Sequence, residues 1–408
     1  MSAFASQHPI LLVALPKIVV LLFLLLTSLA YLTWFERKVV AHIQARWGPY
    51  RVGPHGLLQP LADGLKFLFK EDVTPAGADK FVYFLAPFLS LSLAITSIAV
   101  IPFGPREFTM FGQPTRLAIT DLNIGLLVLF AITSMSVYGV ALAGWSSNSK
   151  YPLLGGLRSS AQMVSYELTL TMSVVGVLLM AGSFNLTEIV TAQGGFHWGF
   201  LPRWNFFAGP LPQLIGFFCF FTAAVAETNR APFDLAEAES ELVAGFHTEY
   251  SSFKFAMFFM AEYASMITVS CLAAILFFGG WLSPFPQNAA FAWTRYIPTA
   301  AFVLAGLALI VHGVRYLTIF GRVVLPALGL ILCGLAALLA SPGINELAQG
   351  PFWFLIKVSM FLFIYVWVRG TLPRFRYDQL MAIGWKLLLP LSILNVVLTS
   401  LAIVWTGR

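Results

Sequence analysis

The residues best suited to proton chemistry crowd into one stretch, from Glu227 to Glu262. It carries seven carboxylates (Glu227, Asp234, Glu237, Glu239, Glu241, Glu249 and Glu262) against two cations, Arg230 and Lys254, in a chain whose formal net charge is +6. Long apolar segments bracket it, and ionisable groups at or within a bilayer mark ion pathways, proton relays or ligand sites. A charge run is often no more than a solvated loop, but Glu262 sits well inside an apolar segment. Asp234, Glu237 and Glu241 are spaced i, i+3, i+7, so a helix sets all three on one face. Close carboxylates in a poorly solvated site cannot all ionise, and they take up protons when a nearby charge changes. Glu167 and Glu262 each lie roughly 10 Å inside their helices, where a carboxylate needs a partner, a water chain or a proton.

Other chemistries find no foothold in the sequence. The three cysteines, Cys219, Cys271 and Cys333, each sit alone in an apolar run without the paired spacing of a zinc or iron–sulfur site. The six histidines are scattered, and there is neither a dinucleotide-binding glycine turn nor a phosphate loop. The chain is therefore expected to bind no metal and no cofactor of its own. Any redox centre belongs to another subunit.

The elements that must hold these carboxylates are membrane helices. Apolar residues make up 59% of the 408 and charged residues 10%, with mean hydropathy +0.82. A soluble domain is nearer ~25% charged. Runs long enough to cross a ~30 Å hydrocarbon core predict ten spans: 10–35, 81–103, 122–144, 161–181, 206–226, 255–282, 297–314, 323–340, 351–368 and 387–405. The first is too long for a signal-peptide core, and its cations, Arg37 and Lys38, follow it. It reads as a retained helix with its N-terminus outside. The loops at 36–80, 145–160, 227–254, 315–322 and 369–386 hold 17 of the 24 Lys and Arg, so the positive-inside rule puts them, the acidic loop included, in the cytoplasm.

The first of those loops reads ERKVVAHIQARWGPYRVGPHGLLQPLADGLKFLFKED over 36–72. Glycines and prolines from Gly48 to Gly56 fix turns. Beyond them Leu57, Leu58, Leu61, Leu65, Leu68 and Phe69 recur at helical spacing with Asp63, Lys66 and Lys70 opposite, the pattern of an amphipathic helix lying in the membrane interface. Lys357, near the outer end of its span, is expected to snorkel to the interface. Arg369, Arg374 and Arg376 are expected to meet anionic lipid or the surface of a neighbouring subunit.

This loop, together with RSSAQMVSYELTL at 158–170, AETNRAPFDLAEAESELVAGFHTEYSSFKFAMFFMAEYASM at 226–266, RGTLPRFRYDQLM at 369–381 and WKLLLPLS at 385–392, resembles one membrane-subunit family of proton-translocating NADH:quinone oxidoreductase, respiratory complex I. That family is the H subunit, also called subunit 1. The resemblance covers nearly the whole chain except roughly 283–350, where two apolar segments are inserted into the family's eight-helix core. The implied fold is an all-α polytopic membrane protein of about ten transmembrane helices, an eight-helix core plus an extra hairpin, within a single membrane domain over 1–408. The hairpin carries no family function and is expected to pack peripherally.

The resemblance also implies a function. The 36–80 loop and its interfacial helix would line a quinone tunnel through Arg37, Gln44, Arg46, Asp63, Lys66 and Arg230. The 227–254 acidic loop would supply coupling carboxylates, Glu227, Asp234, Glu237, Glu239, Glu241 and Glu249, leading to an intramembrane relay at Glu167 and Glu262. Quinone would be the substrate, with FMN and iron–sulfur clusters in partner subunits and no activity in the isolated chain. The partners would be membrane-arm and quinone-site subunits of complex I and the lipid bilayer, in a bacterial inner membrane, with no nucleic acid. Two other functions fit the same residues: the same-fold membrane subunit of an energy-converting hydrogenase, and a free-standing ion transporter. The second of these lacks the internal repeats that transporters often show.

Overall fold

Chain crossing a bilayer must satisfy every backbone polar group internally, and helices do so within one segment. The computed structural model describes residues 9–104, 107–110, 113–197, 199–234, 244–286, 289–316 and 318–407. Among these, nine helices are long and apolar enough to cross a membrane. In chain order the helices are α1 (Pro9–Ile43), α2 (Gln59–Phe69), α3 (Lys80–Ile98), α4 (Gly125–Ser146), α5 (Lys150–Ala181), α6 (Leu186–Ala192), α7 (Leu214–Glu227), α8 (Ser252–Phe277), α9 (Ile297–Val314), α10 (Ile319–Leu339), α11 (Pro342–Thr371), α12 (Tyr377–Ala382) and α13 (Leu389–Thr406). A π-helical stretch, Ile383–Leu388, joins α12 to α13 in one long rod. The strands are short antiparallel hairpins. Glu107–Met110 pairs with Gln113–Arg116 in the register Glu107↔Arg116, and Phe196–His197 pairs with Leu201–Pro202.

Helix α8 is the axis of the bundle. Its apolar window is 72% buried, and it packs on α1, α3, α5, α7 and α11. The windows at α9 and α10 are only 17% buried. These two helices pack on each other, where a Cβ on Gly306 would meet Cys333 Sγ at 2.6 Å and Gly329 O at 2.7 Å. Outward they present Leu304, Val311, Val314, Val323 and Leu330. The hairpin is thus peripheral, as expected.

Helix α2 buries no residue. Leu61, Leu65, Leu68 and Phe69 are exposed along it, Phe69 by 86%. An apolar stripe with nothing of its own chain over it suits a helix lying in the bilayer interface.

The fifth expected span, 206–226, forms differently. Only Leu214–Glu227 is helical, a rise of about 21 Å. Gly209 takes φ 121°, and Pro210 and Pro212 cannot donate to a helical ladder, so 206–213 folds back as an irregular segment. It caps the end of α8 instead: Phe206 N–H donates to Phe277 O at 3.0 Å and Asn205 Nδ2 to Leu276 O at 2.8 Å. The start of α7 is held by fully buried Gln213, which donates to Thr399 Oγ1 at 2.9 Å and accepts from Asn395 Nδ2 at 2.8 Å. Hydropathy alone cannot see this polar junction, because the flanking phenylalanines keep the local average apolar.

Candidate functional site: a buried ion-pair chain beneath an open loop

The loop between α1 and α2 opens a cavity of about 670 Å³ lined by Trp47, Gly48, Pro49, Tyr50, Arg51 and Gln59. That volume falls within the range of small-molecule sites. On its α1–α2 side Arg37 donates to Asp63 Oδ2 at 2.7 Å, and Gln59 Nε2 donates to Asp63 Oδ1 at 3.0 Å. Arg46 Nε donates to Gln44 Oε1 at 2.8 Å, and Lys66 is exposed. Arg37 and Asp63 thus form one pair and Gln44 and Arg46 another, and none of the six expected tunnel residues is among those lining the cavity. Arg230 is 3% exposed and sits inside the bundle.

What Arg230 meets there is the centre of the site. Its guanidinium stands 3.7 Å from Glu36 Oε1 and 3.9 Å from Glu262 Oε2, with its charge 4.1 Å over the Tyr263 ring. Tyr263 Oη donates to Glu36 Oε2 at 2.8 Å, and Arg369 donates to Glu36 Oε1. Arg374 pairs with Asp234 at 3.2 Å. The segment that carries Arg230 and Asp234 is pinned by Gln162, whose amide donates to Ala226 O and Phe233 O, each at 2.8 Å. Phe233 stacks on Phe375 at 5.5 Å. Buried charges must be paired or solvated, and α1, α8 and the C-terminal ends of α7 and α11 converge here to do it.

Glu262 and Glu227 open onto one small cavity of about 40 Å³, shared with Ser90, Ser136, Asn229 and Ser265. Val140, Met163, Phe246 and Phe258 also line it, and a void of that size with polar groups on one side has room for water. Glu167 accepts from the Ser134 hydroxyl on α4 and lies close enough to Glu227 for the two charges to interact. Glu249 stands apart, half-buried, with its carbonyl accepting from Tyr83 Oη at 2.7 Å. Glu237, Glu239 and Glu241, with the helical face expected for them, lie outside the described residues. The structure thus brings Glu167, Glu227, Glu262 and Arg230 together with Asp234 nearby.

Sequence reading missed three members of this site. Glu36 reads locally as a helix cap, yet it is 5% exposed and is the shared acceptor of the cluster. Arg369 and Arg374 pair with protein carboxylates, Glu36 and Asp234, and Arg374 and Arg376 are also exposed. Lys357 also departs from expectation. It does not snorkel but is 6% exposed, donating to Phe278 O, Gly280 O and Leu282 O at 2.7–2.8 Å beyond the end of α8. No local signal could have revealed these contacts: Arg369 and Glu36 are 333 positions apart.

Among the described residues no group of three or more His, Cys, Asp or Glu is placed to hold a metal. The chemistry on offer is binding at an open, partly aromatic cavity, and charge and proton movement in a buried carboxylate–guanidinium chain. Such a molecule is a polytopic membrane protein with a buried ion-pair cluster. The NADH dehydrogenase family matches residues 16–400, and the chain belongs to that family. The first of two NADH-quinone oxidoreductase H subunits of Solibacter usitatus (strain Ellin6076) is 51% identical over 396 residues, 97% of this chain and 98% of the relative. The second NADH-quinone oxidoreductase H subunit of Koribacter versatilis (strain Ellin345) is 52% identical over 401 residues, 96% of this chain and 97% of the relative.

Proposed function

We propose that this chain is the membrane subunit of a proton-translocating NADH:quinone oxidoreductase that walls the quinone chamber and passes the charge change of quinone reduction inward. The first loop and α2 form the chamber side, through Arg37, Gln44, Arg46, Asp63 and Lys66. The 227–254 loop, with Glu227, Asp234, Glu237, Glu239, Glu241 and Glu249, supplies the proton-coupled side, and Glu167 and Glu262 carry it into the membrane. Partner subunits hold the FMN and iron–sulfur clusters, so the isolated chain has no oxidoreductase activity. The complex sits in a bacterial inner membrane with the N-terminus of this chain outside and the two loops in the cytoplasm.

The adjacency of Glu36 and Arg37 carries this reading. Neighbouring residues on a helix point about 100° apart. Arg37 turns outward to Asp63 at the open loop, while Glu36 turns inward to Arg230 and Arg369. A ligand that disturbs the outer pair is therefore one residue from the buried chain. Reduction of a quinone to quinol takes up two protons with its two electrons, and protein groups that give up those protons are left with the negative charge, beside Glu36. Arg230, shared between Glu36 and Glu262, responds to that charge, and its movement changes the proton affinity of the carboxylates on the small cavity.

The test replaces Glu227 or Glu262 by Gln in the whole complex, which keeps shape and hydrogen bonding but removes the titrating charge. Quinone-linked turnover and proton pumping should fall, while NADH oxidation by an artificial acceptor stays intact in the same membranes. Wild-type pumping in both variants would overturn the relay.

A further inference from the structure

The α9–α10 hairpin is peripheral to the bundle, yet its cytoplasmic tip makes a close polar contact with the first loop. His312, on the last turn of α9, places its Nε2 2.7 Å from His55 Nε2, with the imidazoles stacked at 4.9 Å. Tyr316 Oη accepts from the His55 backbone N–H at 3.0 Å. His55 itself sits in a left-handed conformation, φ 52°, between Gly53 and Gly56, and its carbonyl accepts from Trp34 Nε1 on α1 at 3.2 Å.

This turn shapes the loop cavity. A Cβ on Gly56 would strike the Pro49 carbonyl, and the His55 ring meets Tyr50 edge-on at 5.5 Å. Pro49 and Tyr50 are walls of that cavity. Tyr316 is in turn fixed from behind. It is 7% exposed, its carbonyl accepts from Arg322 Nε at 2.7 Å, and its ring packs so closely on Gly321 that a Cβ there would strike it. Non-glycine residues in the left-handed region are strained and persist only where neighbours hold them. Here the neighbours are α1 on one side and the hairpin on the other.

We propose that His312 and Tyr316 are positioning residues for the quinone site: the hairpin is a brace that holds His55, and through it Pro49 and Tyr50, in the shape the cavity requires. The inference rests on the assignment of the first loop to the quinone chamber. The brace is also acid-labile. A ring-nitrogen pair needs one donor and one acceptor, and protonating both imidazoles sets two cations against each other. The groups facing His55 are His312 and Tyr316 from the hairpin, Tyr50 from the loop and Lys38 from α1. Burial, then His312 and Lys38, hold its imidazole below the ordinary value.

The experiment uses the assembled complex in membranes with His312→Ala, His312→Gln and Tyr316→Phe, a short-chain quinone as acceptor, and a nitroxide on Val52→Cys to report loop mobility. His312→Ala should mobilise the label and raise the quinone KM roughly three- to tenfold, the range a lost hydrogen bond spans, with little change in kcat or in artificial-acceptor activity. Tyr316→Phe, which removes a single hydroxyl, should do the same more weakly. His312→Gln should restore KM at neutral pH, and the rise in KM expected of wild type in acid should be lost in it. An unchanged label and unchanged KM in all variants would overturn the brace. A mobilised label with an unchanged KM would uphold the brace and overturn the chamber assignment of the loop.

Discussion

Glu36 and Arg230 stand 3.7 Å apart, each almost fully enclosed by protein. Arg230 is also 3.9 Å from Glu262, so a single guanidinium links α1 to Glu262 on α8, the far end of the acidic stretch. Removing one partner of a buried ionic group leaves charge without compensation, at roughly 3–5 kcal/mol. Arg230→Met should therefore lower the thermal midpoint of the purified complex sharply and reduce its assembly. Glu36→Gln should assemble, because its amide oxygen can still accept from Arg369 while its NH2 group donates to the Tyr263 hydroxyl and Arg230 keeps Glu262, but it should lose quinone-linked turnover. Wild-type stability in Arg230→Met would show that the pair is dispensable.

Lys357 supplies a cation to three carbonyls that the end of α8 and its following turn leave open, and its charge lies 4.1 Å over Trp204. The last carbonyls of a helix have no partner of their own, and leaving buried ones unmet costs about 1–3 kcal/mol each. Lys357→Met, which matches the volume but donates nothing, should destabilise the complex by at least about 2 kcal/mol in thermal denaturation. A snorkelling lysine would tolerate the change.

Helix α2 offers a direct check on its seat in the interface. Fluorophores at Leu61→Cys and Leu68→Cys, both on the exposed apolar face, should be quenched by brominated lipid. One at Lys66→Cys, on the polar face, should be quenched far less. Equal quenching at all three positions would remove the interfacial assignment.

The last part of the acidic loop should be sensitive to acid. His247 is 8% exposed among Phe246 and Phe255, and burial pushes its imidazole down from 6.5 to about 4. Between those values the unfolded chain binds a proton that the folded chain refuses, so stability rises with pH across that window. It is full above 6.5 and falls as pH drops toward 4. His247→Gln should flatten this part of the pH dependence of the thermal midpoint, while an unchanged profile would mean that His247 does not titrate on unfolding.

What the sequence by itself determined follows from local periodicity. Among the described residues nine of the apolar runs become helices long enough to cross a membrane, because a bilayer accepts little else and length is visible in the chain. The stripe of α2 is equally legible, since its leucines recur within a few residues. The family motifs located the carboxylates. Only the tertiary structure decided what those carboxylates meet. Glu36 and Arg369 belong to helices at opposite ends of the chain, and periodicity says which face is polar but not which distant face it joins. The break at Gly209, Pro210 and Pro212 was present in the sequence, yet its consequence depended on Gln213 finding Asn395 and Thr399. Lys357 reads as an interface anchor until α8 is seen to end beside it. The hairpin, silent in the motifs, acquires a role only where His312 comes within 2.7 Å of His55. Pairing across the fold is decided by packing, which brings together groups that no local pattern connects.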